Sequence, residues 1–276
     1  ANKFRVFLNY EPTVCDKEGC GELTAPFKTL ELKNVSFAYP QAEKNIINGI
    51  NMTVKAGQKI ALVGYNGAGK STLVKLLLRL YDVSGGDIFI NGKSIKDYTL
   101  CSYRNKFGTV FQDFQLYAAD IAENVLTDEY LEGDQPRVLE ALKNSGFEER
   151  LSSLNEGIHT PLTKEFDQSG INLSGGEAQK VAISRVFAKD CEIVILDEPS
   201  SALDPMTEYE LNNTLMTALD KTVIIISHRL STTRMADVIY MLENGEIIEQ
   251  GSHDELMQTG GKYAEMFLKQ AEKYNF

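Results

Sequence analysis

The sequence predicts an α/β fold in which a largely parallel sheet is flanked by helices, and three observations carry that expectation. Short apolar strands alternate with helical segments along most of the chain, a pattern that implies parallel pairing. One such strand, Lys59–Val63, runs straight into a glycine-rich loop and then a helix. Between about 113 and 190 strand character is lost, which reads as an inserted helical region.

The chain has 276 residues, so at ~150 residues per domain one large or two modest domains are open. Hydrophobic residues make up 43% and charged residues 24%, the composition of an ordinary folded protein. Against 28 Lys+Arg stand 39 Asp+Glu, a net charge of −11. That balance argues against nucleic acid as a partner, because clustered Lys and Arg supply phosphate-backbone affinity. Apolar runs such as Val223–Ile226 fall far short of the ~20 residues a membrane span needs. No basic stretch followed by an apolar one opens the sequence, so no secretory leader is expected. Cys15, Cys20, Cys101 and Cys191 are then expected to be reduced thiols, and Cys15 with Cys20 alone is too small a ligand set for a metal.

Residues 1–27 read as a linker: an apolar start at Asn2–Tyr10, then Glu11-Pro12 and a polar run to Pro26. The domain proper is expected over 28–276. Leu30, Leu32, Val35 and Phe37, then Ile50, Met52 and Val54, alternate as half-buried strands do. Ala56-Gly57 marks a turn. After Lys70 a helix is expected with Leu73, Leu76, Leu77 and Leu80 on one face. Asp87–Ile90 followed by Asn91-Gly92 predicts a strand and hairpin turn, and Phe107–Phe111 another strand. Helices are expected over Asp134–Asn144, Glu148–Leu154 and Gly175–Lys189. Strands return at Ile193–Leu196 and Val223–Ile226, separated by a helix through Glu208–Leu219, and a helix over Tyr263–Tyr274 ends the pattern.

Gly64-Tyr65-Asn66-Gly67-Ala68-Gly69-Lys70-Ser71 satisfies G-x-x-x-x-G-K-[ST], with a strand before it and a helix after. Glycines let backbone N–H groups approach a polyphosphate, the helix start adds partial positive charge, and Lys70 reaches the terminal phosphates. Ser71 would place its hydroxyl on Mg²⁺. A second element, Ile193-Val194-Ile195-Leu196-Asp197-Glu198, delivers two carboxylates at the end of an apolar strand. Asp197 suits the magnesium side, and Glu198 could orient or deprotonate an attacking water. These two elements alone leave nucleotide hydrolase and kinase both open.

Leu173-Ser174-Gly175-Gly176-Glu177 narrows the choice. Ser174 can cap a helix, and two glycines permit close approach of an anion to the helix start. With these motifs in order, residues from about 30 to 270 resemble the nucleotide-binding domains of ABC transporters. The resemblance implies a P-loop NTPase core with a mixed or parallel sheet, an antiparallel β subdomain and an inserted α-helical subdomain. It implies ATP and Mg²⁺ as cofactors and ATP hydrolysis as the activity. Tyr39 then matches the aromatic that stacks on adenine, and Asn66 and Thr72 fall with the phosphate loop in the nucleotide set. Gln112 matches the glutamine that touches Mg²⁺ and water beside the transmembrane contact. Ser174, Gly175 and Gly176 match the signature motif, Ser201–Asp204 the loop that crosses to a partner, and His228 the switch histidine on the γ-phosphate. Glu198, His228 and Gln112 are thus the expected catalytic residues, with Ser71, Gln112 and Asp197 on the metal. His159 and His253 have no such context and are expected at the surface.

The resemblance further implies a second nucleotide-binding domain, identical or different, paired head to tail so that each ATP lies between one phosphate loop and the other signature motif. The 1–27 junction, Arg229-Leu230-Ser231-Thr232 and Glu249-Gln250-Gly251 resemble export-type members, in which a transmembrane domain precedes this part on the cytoplasmic face of the membrane. Asp167-Gln168-Ser169-Gly170 stands where exporters commonly carry Gly-Glu-Arg-Gly, and Glu177 where glutamine is more usual. The alternative is a soluble ABC ATPase acting in translation, repair or cofactor assembly. Against it, the chain has one cassette and no long coiled-coil insertion. A metabolite kinase would leave the signature and the switch histidine without a role.

Overall fold

The computed structural model of the chain describes residues 12–42, 44–164, 168–199, 204–218, 221–227 and 230–272. The alternation from Leu30 onward becomes β1 (Thr29–Phe37) and β2 (Ile47–Lys55). They pair antiparallel with Leu30 opposite Val54 and Leu32 opposite Met52, which puts the apolar side chains on one face. A turn with Gly57 at φ 79° leads into β3 (Lys59–Gly64), and the glycine loop into α1 (Lys70–Leu77). β4 (Gly85–Ile90) and β5 (Lys93–Ser94) form the hairpin expected at Asn91-Gly92. Both turn residues have positive φ, 51° and 81°, the twist a two-residue hairpin needs. The result is a four-stranded antiparallel sheet in the order β2-β1-β4-β5.

Next come α2 (Leu100–Arg104), β6 (Phe107–Val110), and the helical insert of α3 (Ile121–Leu126), α4 (Gln135–Asn144), α5 (Glu148–Ser152) and α6 (Gly175–Ala188). The insert has its own core, in which Ile121, Val125, Val138, Leu142, Phe147 and Val181 are buried together. The chain continues through β7 (Ile193–Asp197), α7 (Pro205–Asn213), β8 (Thr222–Ile226), α8 (Leu230–Arg234), β9 (Val238–Glu243), β10 (Glu246–Gly251), α9 (His253–Thr259) and α10 (Lys262–Glu272).

The second sheet has the order β10-β9-β3-β8-β7-β6, parallel except for β10. Every residue of β7 and β8 is buried, so these strands read as unbroken apolar runs rather than alternations. Alternate residues feed different cores. Ile60, Leu62, Ile195 and Ile224 face α1 and the antiparallel sheet, whereas Ala61, Val63, Leu196 and Ile225 pack under α6, α7 and α10. Because the strands are parallel, the ends of β3, β6, β7 and β8 share one edge of the sheet. In open α/β sheets the ligand crevice lies outside that edge. Leu62 sits between Ile226 and Tyr240 on the two neighbouring strands and is wholly buried. Leu62→Ala is expected to cost about 2–5 kcal/mol, read as a lower midpoint in urea unfolding with an unchanged slope.

Several local expectations change. Leu80 is exposed because α1 ends at Leu77 and Arg79 takes a left-handed φ of 49°, rotating Leu80 off the apolar face. The helix expected through Glu208–Leu219 is regular only to Asn213 and continues as a π-helical turn over Thr214–Ala218. Within the stretch read as a linker, Leu23 and Phe27 are buried in the core, and Phe27 N–H donates to Glu192 Oε2 at 2.6 Å. His159 is at the surface beside Asp120, but His253 is half-buried, with its Nδ1 sharing a hydrogen bond with Tyr263 Oη at 2.9 Å.

Candidate nucleotide site

The glycine loop is shaped by positions that a side chain cannot occupy. Gly64 has φ 149°, and a Cβ there would lie 2.3 Å from the Leu242 carbonyl oxygen on β9. Gly69 has φ 103° and caps α1, and its Cβ would meet Ile47 Cδ1 at 2.8 Å. Glycine thus lets the loop lie flat against the neighbouring backbone, with the first turn of α1 opening into a cavity. That cavity, about 470 Å³, is lined by Ile46, the loop and helix start from Asn66 to Thr72, Gln112 and Glu198. Lys70 is 8% exposed and donates from Nζ to the carbonyl oxygens of Gly64 at 2.7 Å and Tyr65 at 3.2 Å.

The carboxylates arrive from β7. Asp197, its last residue, is buried and accepts a hydrogen bond from the Ser71 side chain. Burial, with Glu198 and Asp113 nearby, pushes its carboxyl above the ordinary aspartate range, while Ser71 and Lys70 pull it down. Burial likewise lowers Lys70 from its usual value, against the attraction of Glu198 and Asp197. A site that penalises both isolated charges favours bringing opposite charges together within it. Glu198 follows with a left-handed φ of 48°, held by its N–H donating to the Ile226 carbonyl on β8 at 3.0 Å. Such a conformation in a non-glycine residue is strained and persists because the strand-to-loop junction imposes it. It turns the Glu198 side chain into the lining of the cavity, opposite the helix start. Gln112 enters from the exposed turn after β6.

Ser71, Asp197 and Gln112 offer a hydroxyl, a carboxylate and an amide oxygen, the hard donors that suit Mg²⁺. Among the described residues no group of three or more His, Cys, Asp or Glu could hold a metal. A site of one carboxylate and neutral oxygens fits an ion that takes its remaining ligands from water and phosphate.

Tyr39 is not part of the cavity lining. It reaches the site through Thr72, whose Oγ1 shares a hydrogen bond with the Tyr39 hydroxyl at 3.2 Å. Its ring is held edge-on between Phe37 and Tyr81, with centroids 5.0 and 5.2 Å away. Ser174, Gly175 and Gly176 lie elsewhere, at the start of α6, with Ser174 and Gly175 exposed. Ser174 and Glu177 form a reciprocal capping box: Ser174 N–H donates to Glu177 Oε2 at 2.8 Å, and Glu177 N–H to Ser174 Oγ at 3.3 Å. Asp204 is exposed and caps α7 by accepting from the N–H groups of Met206 and Thr207, both at 3.1 Å. His228, Ser201–Leu203 and Asp167 lie outside the described residues.

Sequence reasoning missed Ile46, which lines the cavity and whose carbonyl stands behind Gly69, and Tyr81, which buttresses Tyr39. Neither sits in a motif. The only available signal was apolar character in a stretch adjoining one.

The sequence model of the ABC transporter family matches residues 47–201. The ATP-dependent lipid A-core flippase of Coxiella burnetii is 39% identical over 246 residues, covering 88% of this chain and 41% of that protein. The ABC multidrug transporter atrD of Emericella nidulans is 39% identical over 271 residues, 96% of this chain and 20% of that protein. Among solved structures, a bacterial Atm1-family ABC exporter with ATP bound superposes with a TM-score of 0.88 at 35% identity, over 98% of this chain and 46% of that one. The chain therefore spans less than half the length of these relatives.

Proposed function

The chain belongs to the ABC transporter family, and on that premise we propose that it binds and hydrolyses ATP to drive an exporter, two such domains pairing head to tail around the nucleotide. One observation carries this reading. The phosphate-loop cavity and the signature motif are both present in one chain, yet Ser174, Gly175 and Gly176 do not line that cavity but form the start of α6, where Ser174 and Gly175 are exposed. A nucleotide held by one copy would meet a signature helix start only from another copy.

In this mechanism the N–H groups of Gly67, Gly69, Lys70 and Ser71 and the Lys70 ammonium hold the phosphate tail in the cavity. Lys70 would exchange its loop carbonyl partners for phosphate oxygens. Ser71, Asp197 and Gln112 would hold Mg²⁺, which when bound neutralises charge on the phosphates. Glu198 orients the attacking water and accepts its proton, and its strained backbone fixes the carboxylate's direction before substrate arrives. The partner's Ser174 hydroxyl and Gly176 N–H donate to charge developing on the γ-phosphate in an interface closed to water. Tyr39 supports the base, and His228 would complete the γ-phosphate contacts from its place after β8. Binding then closes the pair, and hydrolysis releases it.

The membrane-facing partner is a transmembrane domain ahead of this part, joined through residues 1–27, whose Leu23 and Phe27 anchor in the core of the catalytic domain (28–276) on the cytoplasmic face. Among the described residues no helix is long and apolar enough to cross a membrane. Support for a docked partner comes from a groove of about 210 Å³ beside Gln112, lined by Phe111, Phe114, Tyr117 and Arg185. Arg185 lies 5.4 Å from the Tyr117 ring and donates to the carbonyls of Asn124 and Gln115, both at 2.9 Å, which ties α6 to α3 and the segment before it along one wall of the groove.

A site shared by two chains has a kinetic signature. Phosphate release per chain is expected to rise with protein concentration until the dimer saturates. Specific activity that stays constant across a dilution series in which the ATP-bound dimer dissociates would remove the shared site.

A further inference from the structure

The signature helix of this chain begins with a charge that works against its proposed task. Glu177 uses Oε2 to accept the Ser174 N–H, so its carboxylate lies within the first turn of α6, next to Ser174 and the two glycines. The hydrogen bonds from Ser174, with Arg150 and Lys180 nearby, hold that carboxyl below the ordinary glutamate range, so it is ionised at neutral pH. A fixed negative charge there opposes an approaching triphosphate, although the same carboxylate is what ties down the serine.

Arg150 resolves the conflict. It sits on α5 and lines one cavity with Phe147, which is buried in the insert's core. Its Nε forms an ion pair at 2.9 Å with Glu177 Oε1, the oxygen the capping box leaves open, although that buried Nε–H makes no well-aligned hydrogen bond. Its Nη1 donates to Ser153 Oγ at 2.9 Å, which fixes the guanidinium from behind. Charge attraction thus links Arg150 on α5 to Glu177, and a hydrogen bond links Glu177 to the Ser174 backbone. Both charged side chains are only partly exposed, 38% and 29%, at the edge of a cavity of about 360 Å³ that also contains Lys180.

We infer that Arg150 is a positioning residue for ATP-dependent pairing: it cancels the Glu177 charge and locks the capping box, so that Ser174 is presented to the partner's nucleotide. The inference rests on the proposed head-to-tail function. As an ordinary surface ion pair, Arg150–Glu177 would add little stability and have no bearing on nucleotide.

The test is a double-mutant cycle on this 276-residue chain, with dimer dissociation measured by sedimentation in the presence of a non-hydrolysable ATP analogue. Arg150→Ala is expected to weaken the dimer about tenfold, since the Glu177 carboxylate beside the signature glycines then loses its ion-pair partner. Binding of a fluorescent ATP analogue to the dilute, unpaired chain should stay unchanged, because Arg150 lies outside the phosphate-loop cavity. In the E177Q background, where the amide still accepts the Ser174 N–H but carries no charge, R150A should have almost no effect on pairing. Arg150→Met, which keeps the aliphatic stem, should behave as R150A and guards against loss of folding. Equal effects of R150A in both backgrounds, or pairing by R150A as tight as wild type, would overturn the inference while leaving the function intact. A wild-type chain that binds the analogue and never pairs would overturn the function itself, and the inference with it.

Discussion

Glu198→Gln is expected to lower ATP hydrolysis by about 10²–10⁴-fold, the span usually lost with a positioned general base. Nucleotide binding should survive, because in the proposed mechanism the loop and Lys70 hold the phosphates, and the ATP-bound dimer should accumulate. The substitution isolates chemistry well. Glutamine matches glutamate in shape, and the left-handed backbone at 198 is held by a main-chain hydrogen bond to Ile226, which the side chain does not alter. The loss of one negative charge also removes an upward push on the Asp197 carboxyl, making the remaining carboxylate easier to ionise. Phosphate release and gel filtration with MgATP read the two halves of the prediction. Hydrolysis at the wild-type rate would take the role of base away from Glu198.

Lys70→Ala acts earlier, at binding. A charge-assisted hydrogen bond contributes about 1.5–3 kcal/mol, so loss of the ammonium is expected to weaken MgATP binding roughly 10- to 100-fold. Burial magnifies the effect. Lys70 is 8% exposed, with its ammonium between the carbonyls of Gly64 and Tyr65, and truncation strips those oxygens of a donor while removing the cavity's principal cation. Calorimetric titration with MgATP measures the change. Affinity equal to wild type would show that the backbone amides alone hold the phosphates. The two variants should therefore separate cleanly: one binds and pairs without turnover, the other fails before pairing.

The residues involved explain why some of this was legible in advance. Gly64 and Gly69 are fixed by sterics that act over a few residues of chain and one neighbouring backbone, so their spacing with Lys70 is a local signature. The unbroken apolar runs at β7 and β8 follow from burial on both faces, a property of composition rather than of distant contacts. The capping potential of Ser174 was likewise local, and the reciprocal partner proved to be Glu177, three residues away. Other features depended on parts of the chain far apart in sequence. Ile46 backs Gly69, Tyr81 braces Tyr39, and Arg150 meets Glu177 because α4 packs on α6 and carries α5 alongside. The burial of Leu23 and Phe27 falls in the same class, since polar neighbours hid two anchors that fill the core beside β1.

By itself the sequence determined which chemical groups exist and how each is presented: a loop that can wrap phosphate, an apolar strand ending in two carboxylates, and a helix headed by a serine. Those properties are set by the conformational range of glycine, by burial and by hydrogen bonds spanning three or four residues. The tertiary structure decided which of them meet. Parallel pairing of β3, β8 and β7 carries Gly64, Glu198 and Asp197 to one sheet edge across more than a hundred residues of chain, while the helical insert carries Ser174 away from that edge. That separation is a consequence of packing between distant segments, and no local pattern encodes it.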